Sequence, residues 1–168
     1  MPEPRDQLLT CIPRLRRYAR ALVGDRAGAD DLVQDTVERG WAGLAGWHGG
    51  SDMRAWLFSI MHNVRIDQVR RPSLATESLS EETPMAATHG SPSRGLELRD
   101  IETALRALPE EQREILLLVA LEELSYDEVA QALKIPIGTV MSRLSRAREK
   151  MRANMEGLPC VAALKVVK

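Results

Sequence analysis

The chain has 168 residues, 44% of them apolar and 28% charged, with a formal net charge of -1. This profile belongs to a globular chain rather than a disordered one, and its length allows one ordinary domain or two small ones with thin cores. No window approaches 18 consecutive apolar residues and no apolar signal core follows the N-terminus, so membrane insertion is not expected and the cytoplasm is the expected location.

Aromatic residues make up only 4%, while Leu, Ala, Arg and Glu dominate. These side chains lose little rotamer freedom in a helix, so the predicted class is all-α. Cys11 and Cys160 lie too far apart in sequence to suggest a disulfide framework and are expected to be free thiols.

In chain order, Leu15, Tyr18, Ala19 and Leu22 share one helical stripe, with Pro13 suited to a first turn and Gly24 to a stop. A second stripe runs through Ala29, Leu32, Val33, Val37, Gly40, Trp41 and Leu44, with Asp25 as its N-cap. Its opposite face carries Asp31, Gln34, Asp35 and Glu38. After Gly49 and Gly50, a third stripe takes Met53, Trp56, Leu57, Ile60, Met61 and Val64 and ends at Arg70, Arg71 and Pro72. These three helices are expected to pack as a small bundle.

Residues 72–95 are rich in Pro, Ser, Thr and Glu and have no sustained apolar period, which predicts a flexible linker. Stretched at about 3.3 Å per residue, it reaches on the order of 75 Å, so the two halves are expected to adopt several relative arrangements and to hold separate sites on one long ligand. Beyond it, Leu98, Ile101, Leu105 and Leu108 mark one helix. Pro109 opens another through Ile115, Leu116, Val119 and Ala120. Ser125 and Glu128 form a capping-box pair at the start of a short helix to Leu133, and Thr139 to Ala153 carries Val140, Leu144, Ala147 and Met151 on its inner face. The tail from 156 to 168 is ambiguous.

The last two helices have helix-turn-helix spacing: a small residue at the crossing (Ala130), a tight turn four residues on (Lys134) and an apolar anchor on the second helix (Val140). At about 100° per residue, Met141, Ser142, Ser145 and Arg146 then face outward on the half of the helix that reaches base edges. Arg143, Arg148, Lys150 and Arg152 surround them as phosphate-contact candidates. The spacing equally fits a helical hairpin whose Arg-rich helix only faces water.

At these residues a family resemblance emerges. The run LSYDEVAQALKIPIGTVMSRLSRAREKMR resembles region 4 of extracytoplasmic-function (ECF) sigma factors, the module that reads the minus-35 promoter element. DDLVQDTVERGW resembles region 2.2, and MRAWLFSIMHNVRIDQVRR resembles regions 2.3 and 2.4. The resemblance implies region 2 over 5–71 and region 4 over 96–155, two small helical domains joined by the linker.

It further implies that Asp31, Gln34, Asp35 and Glu38 dock on the β′ clamp helices of core RNA polymerase, with the β subunit as a further contact. The minus-10 element would be met by Trp47, by Asn63 at the end of the family's specificity loop, and by Arg65, Arg70 and Arg71. The minus-35 element would be met by Met141, Ser142, Arg143, Ser145, Arg146 and Arg148. Promoter DNA and an anti-sigma factor are the other implied partners; no cofactor is. Trp56 lies on the apolar stripe and belongs to the core.

Two positions depart from the family pattern: Lys134 stands where a Gly is frequent, so a left-handed turn there costs about 1 kcal/mol or the turn differs. Met141 stands where Lys or Arg is frequent. Catalysis finds no support, because His48, His62 and His89 with the two Cys show no metal spacing and no phosphate-binding loop or nucleophile motif is present. A sigma-like decoy that binds an anti-sigma factor, and a simple helix-turn-helix regulator, are the competing non-enzymatic readings.

Overall fold

The computed structural model describes residues 2–71 and 92–157, the side chains from 95 onward in the second stretch. Among them there are helices and no strands: α1 (Pro4–Val23), α2 (Arg26–Gly43), a 3-10 turn (Leu44–Gly46), α3 (Met53–Arg70), α4 (Pro92–Arg106), α5 (Glu110–Ala120), α6 (Tyr126–Leu133) and α7 (Ile137–Gly157). Most of the linker reading, and the tail from 158, lie outside the described residues. The linker's last residues, 92–95, belong to α4, and the start of the tail belongs to α7.

Helix α1 begins well before Pro13, which lies in its interior. The bond that Pro13 cannot donate would have run to the carbonyl of Leu9, an exposed position, while Leu8 and Cys11 extend the buried stripe backward from Leu15. Pro4 takes the first turn instead. Gly24 ends the helix as expected, with φ 88° and its N–H on the Arg20 carbonyl.

Asp25 caps α2 by accepting from the Gly28 N–H at 2.7 Å. The buried residues of α2 are Ala29, Leu32, Val33, Thr36 and Gly40, whereas Trp41 stands 46% exposed with Arg5 over its ring. Thr36 is tolerated inside because its hydroxyl donates to the Leu32 carbonyl at 2.7 Å. Gly40 permits close approach of α3: a Cβ there would meet Leu57 Cδ2 at 2.9 Å.

In α3 the buried set is Met53, Leu57, Phe58, Met61 and Val64; Trp56 and Ile60 are half-buried. Phe58 was not on the predicted stripe, and it packs edge-on to Tyr18 at 4.9 Å.

In the second half, Ala104 and Leu108 are buried but Leu98 and Ile101 of α4 are 60% and 40% exposed, against expectation. Pro109 sits just before α5 and its carbonyl accepts from Gln112 and Arg113. The inner face of α5 is Glu114, Ile115, Leu117 and Leu118, one step round from the predicted stripe, which leaves Ala120 exposed. The capping box of α6 is complete, with Glu128 N–H on Ser125 Oγ at 3.2 Å and Ser125 N–H on Glu128 Oε2 at 2.7 Å. Lys134 is left-handed (φ 55°, ψ 45°), so the chain carries the strain rather than changing the turn.

The two halves are not held apart. α1 packs on α5 and α3 on α6, and one hydrophobic cluster runs from Leu8, Tyr18 and Phe58 to Ile115, Leu118 and Val140. In this arrangement the two thin cores merge into a larger one.

Two stability measurements follow from these local features. Lys134→Gly removes the left-handed strain and should stabilise the protein by roughly 0.5 to 1 kcal/mol after allowing for glycine's extra freedom in the unfolded chain, seen as a higher urea midpoint. The second concerns Asp52, which caps α3 through the Arg54 N–H at 2.8 Å. Its carboxyl is held below the usual 3.8, chiefly by hydrogen bonds from the Arg54 side chain. A depressed carboxylate adds stability above its unfolded value that is lost as pH falls through its folded value. Asp52→Asn should therefore be the less stable protein at neutral pH, and the difference should vanish once urea midpoints are taken well below pH 3.8.

Candidate functional site

Helix α7 is fixed from one side. Val140, Leu144 and Ala147 are at most 1% exposed and pack it against α5 and α6. That clamping turns Met141, Ser142, Ser145 and Arg146 to solvent, as the rotation argument predicts. Ser142 donates its hydroxyl to the Thr139 carbonyl, and Met141 is 49% exposed. Arg143 is less free than its neighbours: it is half-buried and lies 3.6 Å from Glu111. Arg148 and Arg152 are exposed and, with Tyr126, Met141 and Ser145, line a shallow recess of about 360 Å³. Glu149 lines it as well, so the rim sets two arginines and one carboxylate around a polar and apolar centre.

On α2 the acidic residues fall opposite the buried stripe because their spacing of three and four places them on one face. Asp31, Gln34 and Glu38 are exposed, and Gln34 donates to Glu38 at 3.2 Å. Asp35 is half-buried and accepts from Gln68 of α3 at 3.0 Å, so it ties the two helices together as well as facing outward.

The third cluster surrounds the turn before α3. Trp47 is half-buried, tilted against Trp56 with ring centroids 6.5 Å apart, and its indole N–H is buried without a partner. It borders a cleft of about 480 Å³ that Arg14, Ser51, Asp52 and Arg54 also line. Asn63 is exposed but stands in the middle of α3, not at the end of a loop, because the apolar stripe from Met53 to Val64 carries the helix straight through it. Arg70 and Arg71 are exposed at the helix end. Arg65 is engaged: its guanidinium donates to both carboxylate oxygens of Glu110, at 2.7 and 3.2 Å.

The residues that sequence reasoning missed lie between the halves. Glu122, with no exposed surface, accepts from Arg17 at 3.0 Å and has Arg14 at 3.9 Å. Glu114 meets His62 at 2.7 Å. Arg113 donates to the Leu22 carbonyl and Arg106 to that of Gly24, capping the C-terminal end of α1. Glu110 and Glu114 share a helical face by their spacing, but nothing local in the sequence names partners 45 and 52 residues away. Among the described residues no three His, Cys, Asp or Glu side chains gather as a metal site, and no helix is long and apolar enough to cross a membrane.

Two family profiles match the chain: the sigma2 domain of PhyR over residues 8–62 and sigma-70 region 4 over residues 98–151. The chain is 35% identical to the ECF RNA polymerase sigma factor EcfG of Rhodopseudomonas palustris across 89% of its own length and 83% of that protein. Its fold is similar to that of the sigma factor RpoE in complex with the anti-sigma factor NepR from Bartonella quintana, with TM-score 0.75 and 32% identity over 92% of this chain and 98% of that one. It is also similar to CnrH in complex with the cytosolic domain of CnrY, with TM-score 0.68 and 26% identity over 93% and 89% of the two chains. The helix-turn-helix, the acidic helix and this similarity along most of the sequence agree, and the chain belongs to the ECF RNA polymerase sigma factors, which direct bacterial RNA polymerase to specific promoters.

Proposed function

We propose that this sigma factor divides its work between the two faces left free by its core. Region 2, over 5–71, docks on the β′ clamp helices through Asp31, Gln34, Asp35 and Glu38, a carboxylate-rich strip suited to a basic partner. The same region meets the opened minus-10 element with Trp47, Asn63, Arg65, Arg70 and Arg71. A ring stacks on an unpaired base, an amide bonds to a base edge and guanidinium groups hold phosphates.

Region 4, over 96–155, also contacts the β subunit and reads the minus-35 element through α7, with Met141, Ser142, Ser145 and Arg146 at the bases and Arg143 and Arg148 at the backbone. The observation that carries this reading is the outward, exposed N-terminal half of α7 behind a fully buried Val140, Leu144 and Ala147.

The protein acts in the cytoplasm, responds to a stress or other signal, and is held inactive by an anti-sigma factor; RpoE, which it resembles, is seen bound to the anti-sigma factor NepR, and CnrH to the cytosolic domain of CnrY. One observation favours a second reading. The region 2 profile is that of PhyR, whose Bartonella quintana counterpart is described as an anti-anti-sigma factor, so a sigma-like decoy would carry the same fold. Reconstituted transcription separates them. A sigma factor gives promoter-dependent transcript with core polymerase, whereas a decoy binds the regulator and gives none.

Asp31 and Glu38 are both exposed, so Asp31→Lys with Glu38→Lys should fold normally and weaken core-polymerase binding by about tenfold or more. Unchanged affinity of the folded variant in a pull-down removes α2 from the interface. On α7, Arg146→Ala should cost roughly 1 to 3 kcal/mol of promoter binding and relax preference at one base pair. Arg152→Ala should weaken all sequences alike and lower the salt slope, and identical behaviour of the two variants in anisotropy titrations contradicts the assignment.

A further inference from the structure

Helix α4 is buried along one line and bare along the next. Ala104 and Leu108 are at most 2% exposed, and Asn154 of α7 donates its side-chain amide to the Ala104 carbonyl at 3.0 Å. Leu98 and Ile101 are 60% and 40% exposed. With half-buried Leu105 they form a stripe at spacings of three and four, the positions that share a helical face.

The direction of α7 decides which segment is at hand to cover that stripe. Its Arg143 lies 3.6 Å from Glu111, a few residues past the end of α4, whereas Asn154 reaches back to Ala104. The two helices are therefore antiparallel. At about 1.5 Å per residue, Gly157 at the end of α7 comes level with Ile101, and Leu98 stands only about 5 Å further on. A chain leaving α7 arrives beside both within a few residues.

The segment that leaves there has matching chemistry. Residues 158–167 read LPCVAALKVV, eight of the ten apolar, and the one charged residue in that run is Lys165. The stripe on α4 is flanked by exposed carboxylates, Glu97 on one side and Glu102 on the other, while Arg99 falls on the opposite face.

We propose that residues 158–167 fold back from the end of α7 and dock on the stripe of Leu98, Ile101 and Leu105, with Lys165 beside its acidic margin. Reach is ample, since ten residues span about 15 Å as a helix and about 33 Å extended, against about 10 Å for the stripe. Docking there removes apolar surface from water on both partners. It also leaves the recognition face clear, because Met141, Ser142, Ser145 and Arg146 lie toward the other end of α7. Any protein that binds the α4 stripe then has to displace the tail.

Cys160 supplies the probe. In the full chain carrying Leu98→Cys, oxidised glutathione should drive an intramolecular disulfide between residues 98 and 160. Cys11 stays out of the reaction, being 7% exposed with its thiol pushed up by burial. The control is Arg99→Cys, equally near along the chain and exposed on the opposite face of α4. The bond from residue 98 should form about tenfold faster than the bond from residue 99, because docking raises the effective concentration of Cys160 on one face only. Adding Ile101→Asp to Leu98→Cys should slow it by about tenfold, and so should Leu164→Asp, which alters no residue of the helices.

Equal rates from residues 98 and 99 describe a tail that visits both faces and overturn the proposal. A rate indifferent to Ile101→Asp and Leu164→Asp does the same, since apolar contact is then not what holds the segment. Dimers linked through residue 98 would give the stripe to a second copy of the chain, and reaction at neither position would leave it to another protein; either result overturns docking of the tail.

Discussion

Glu122 organises the molecule. Its side chain has no exposed surface, and an ionised carboxylate in that position loses several kcal/mol of hydration unless cations and donors replace the water. Arg17 supplies the replacement at 3.0 Å and also reaches the Leu121 carbonyl at 3.2 Å, while Arg54 bonds the Glu122 carbonyl. The turn between α5 and α6 is therefore fixed to α1 and α3 at once. The backbone pays locally, since Glu123 is left-handed at φ 57° directly after it. From this turn α6 runs back across α3, and α7 packs on both α5 and α6.

Each functional face follows from what packing leaves over. On α2 the core takes Ala29, Leu32, Val33 and Thr36, and the acidic strip is the remainder. On α7 the core takes Val140, Leu144 and Ala147, and the polar and basic residues are the remainder. Helix α3 is different because it is engaged on two sides: Leu57, Met61 and Val64 in the core, Arg54, His62 and Arg65 toward region 4. Arg65 of α3 would have to leave Glu110 to meet a nucleic acid, and Asp35 of α2 and Arg143 of α7 are likewise engaged, with Gln68 and Glu111, whereas Asp31, Glu38 and Arg146 are exposed.

The elements whose signals are local were legible in the sequence. Asp25 and Ser125 cap through their own next few residues, Gly24 supplies a positive φ, and the stripes of α2 and α7 follow helical spacing. Pro13 misled because its usual place is a first turn, yet an interior proline is tolerated where the lost bond falls at an exposed position. Trp41 and Phe58 exchanged places with expectation for a reason invisible to periodicity. Burial of Phe58 depends on Tyr18 of α1 meeting it, and on α2 it is Gly40 and Gly43, not Trp41, that lie against Leu57 and Trp56 of α3. The candidate site was legible on α7 and α2, where one helix decides exposure, and not on α3, where the partner of Arg65 comes from α5.

Lys134 and Met141, the two departures from the family pattern, have different structural weights. Lys134 adopts the left-handed conformation that a glycine would take freely, yet its N–H bonds the Ala130 carbonyl and its side chain is exposed, so the cost stays in one residue's backbone. The orientation of α7 is set by Val140, Leu144 and Ala147, which are buried where it packs on α5 and α6. Met141 is the converse. It is 49% exposed and stands on the outward face, beside Ser142 and Ser145. A thioether offers no strong hydrogen bond and no charge there; its chemistry suits apolar contact, such as a thymine methyl, over a guanine edge. The departure in the turn thus falls on the backbone of one residue, and the departure on the helix falls on the chemistry of its outward face.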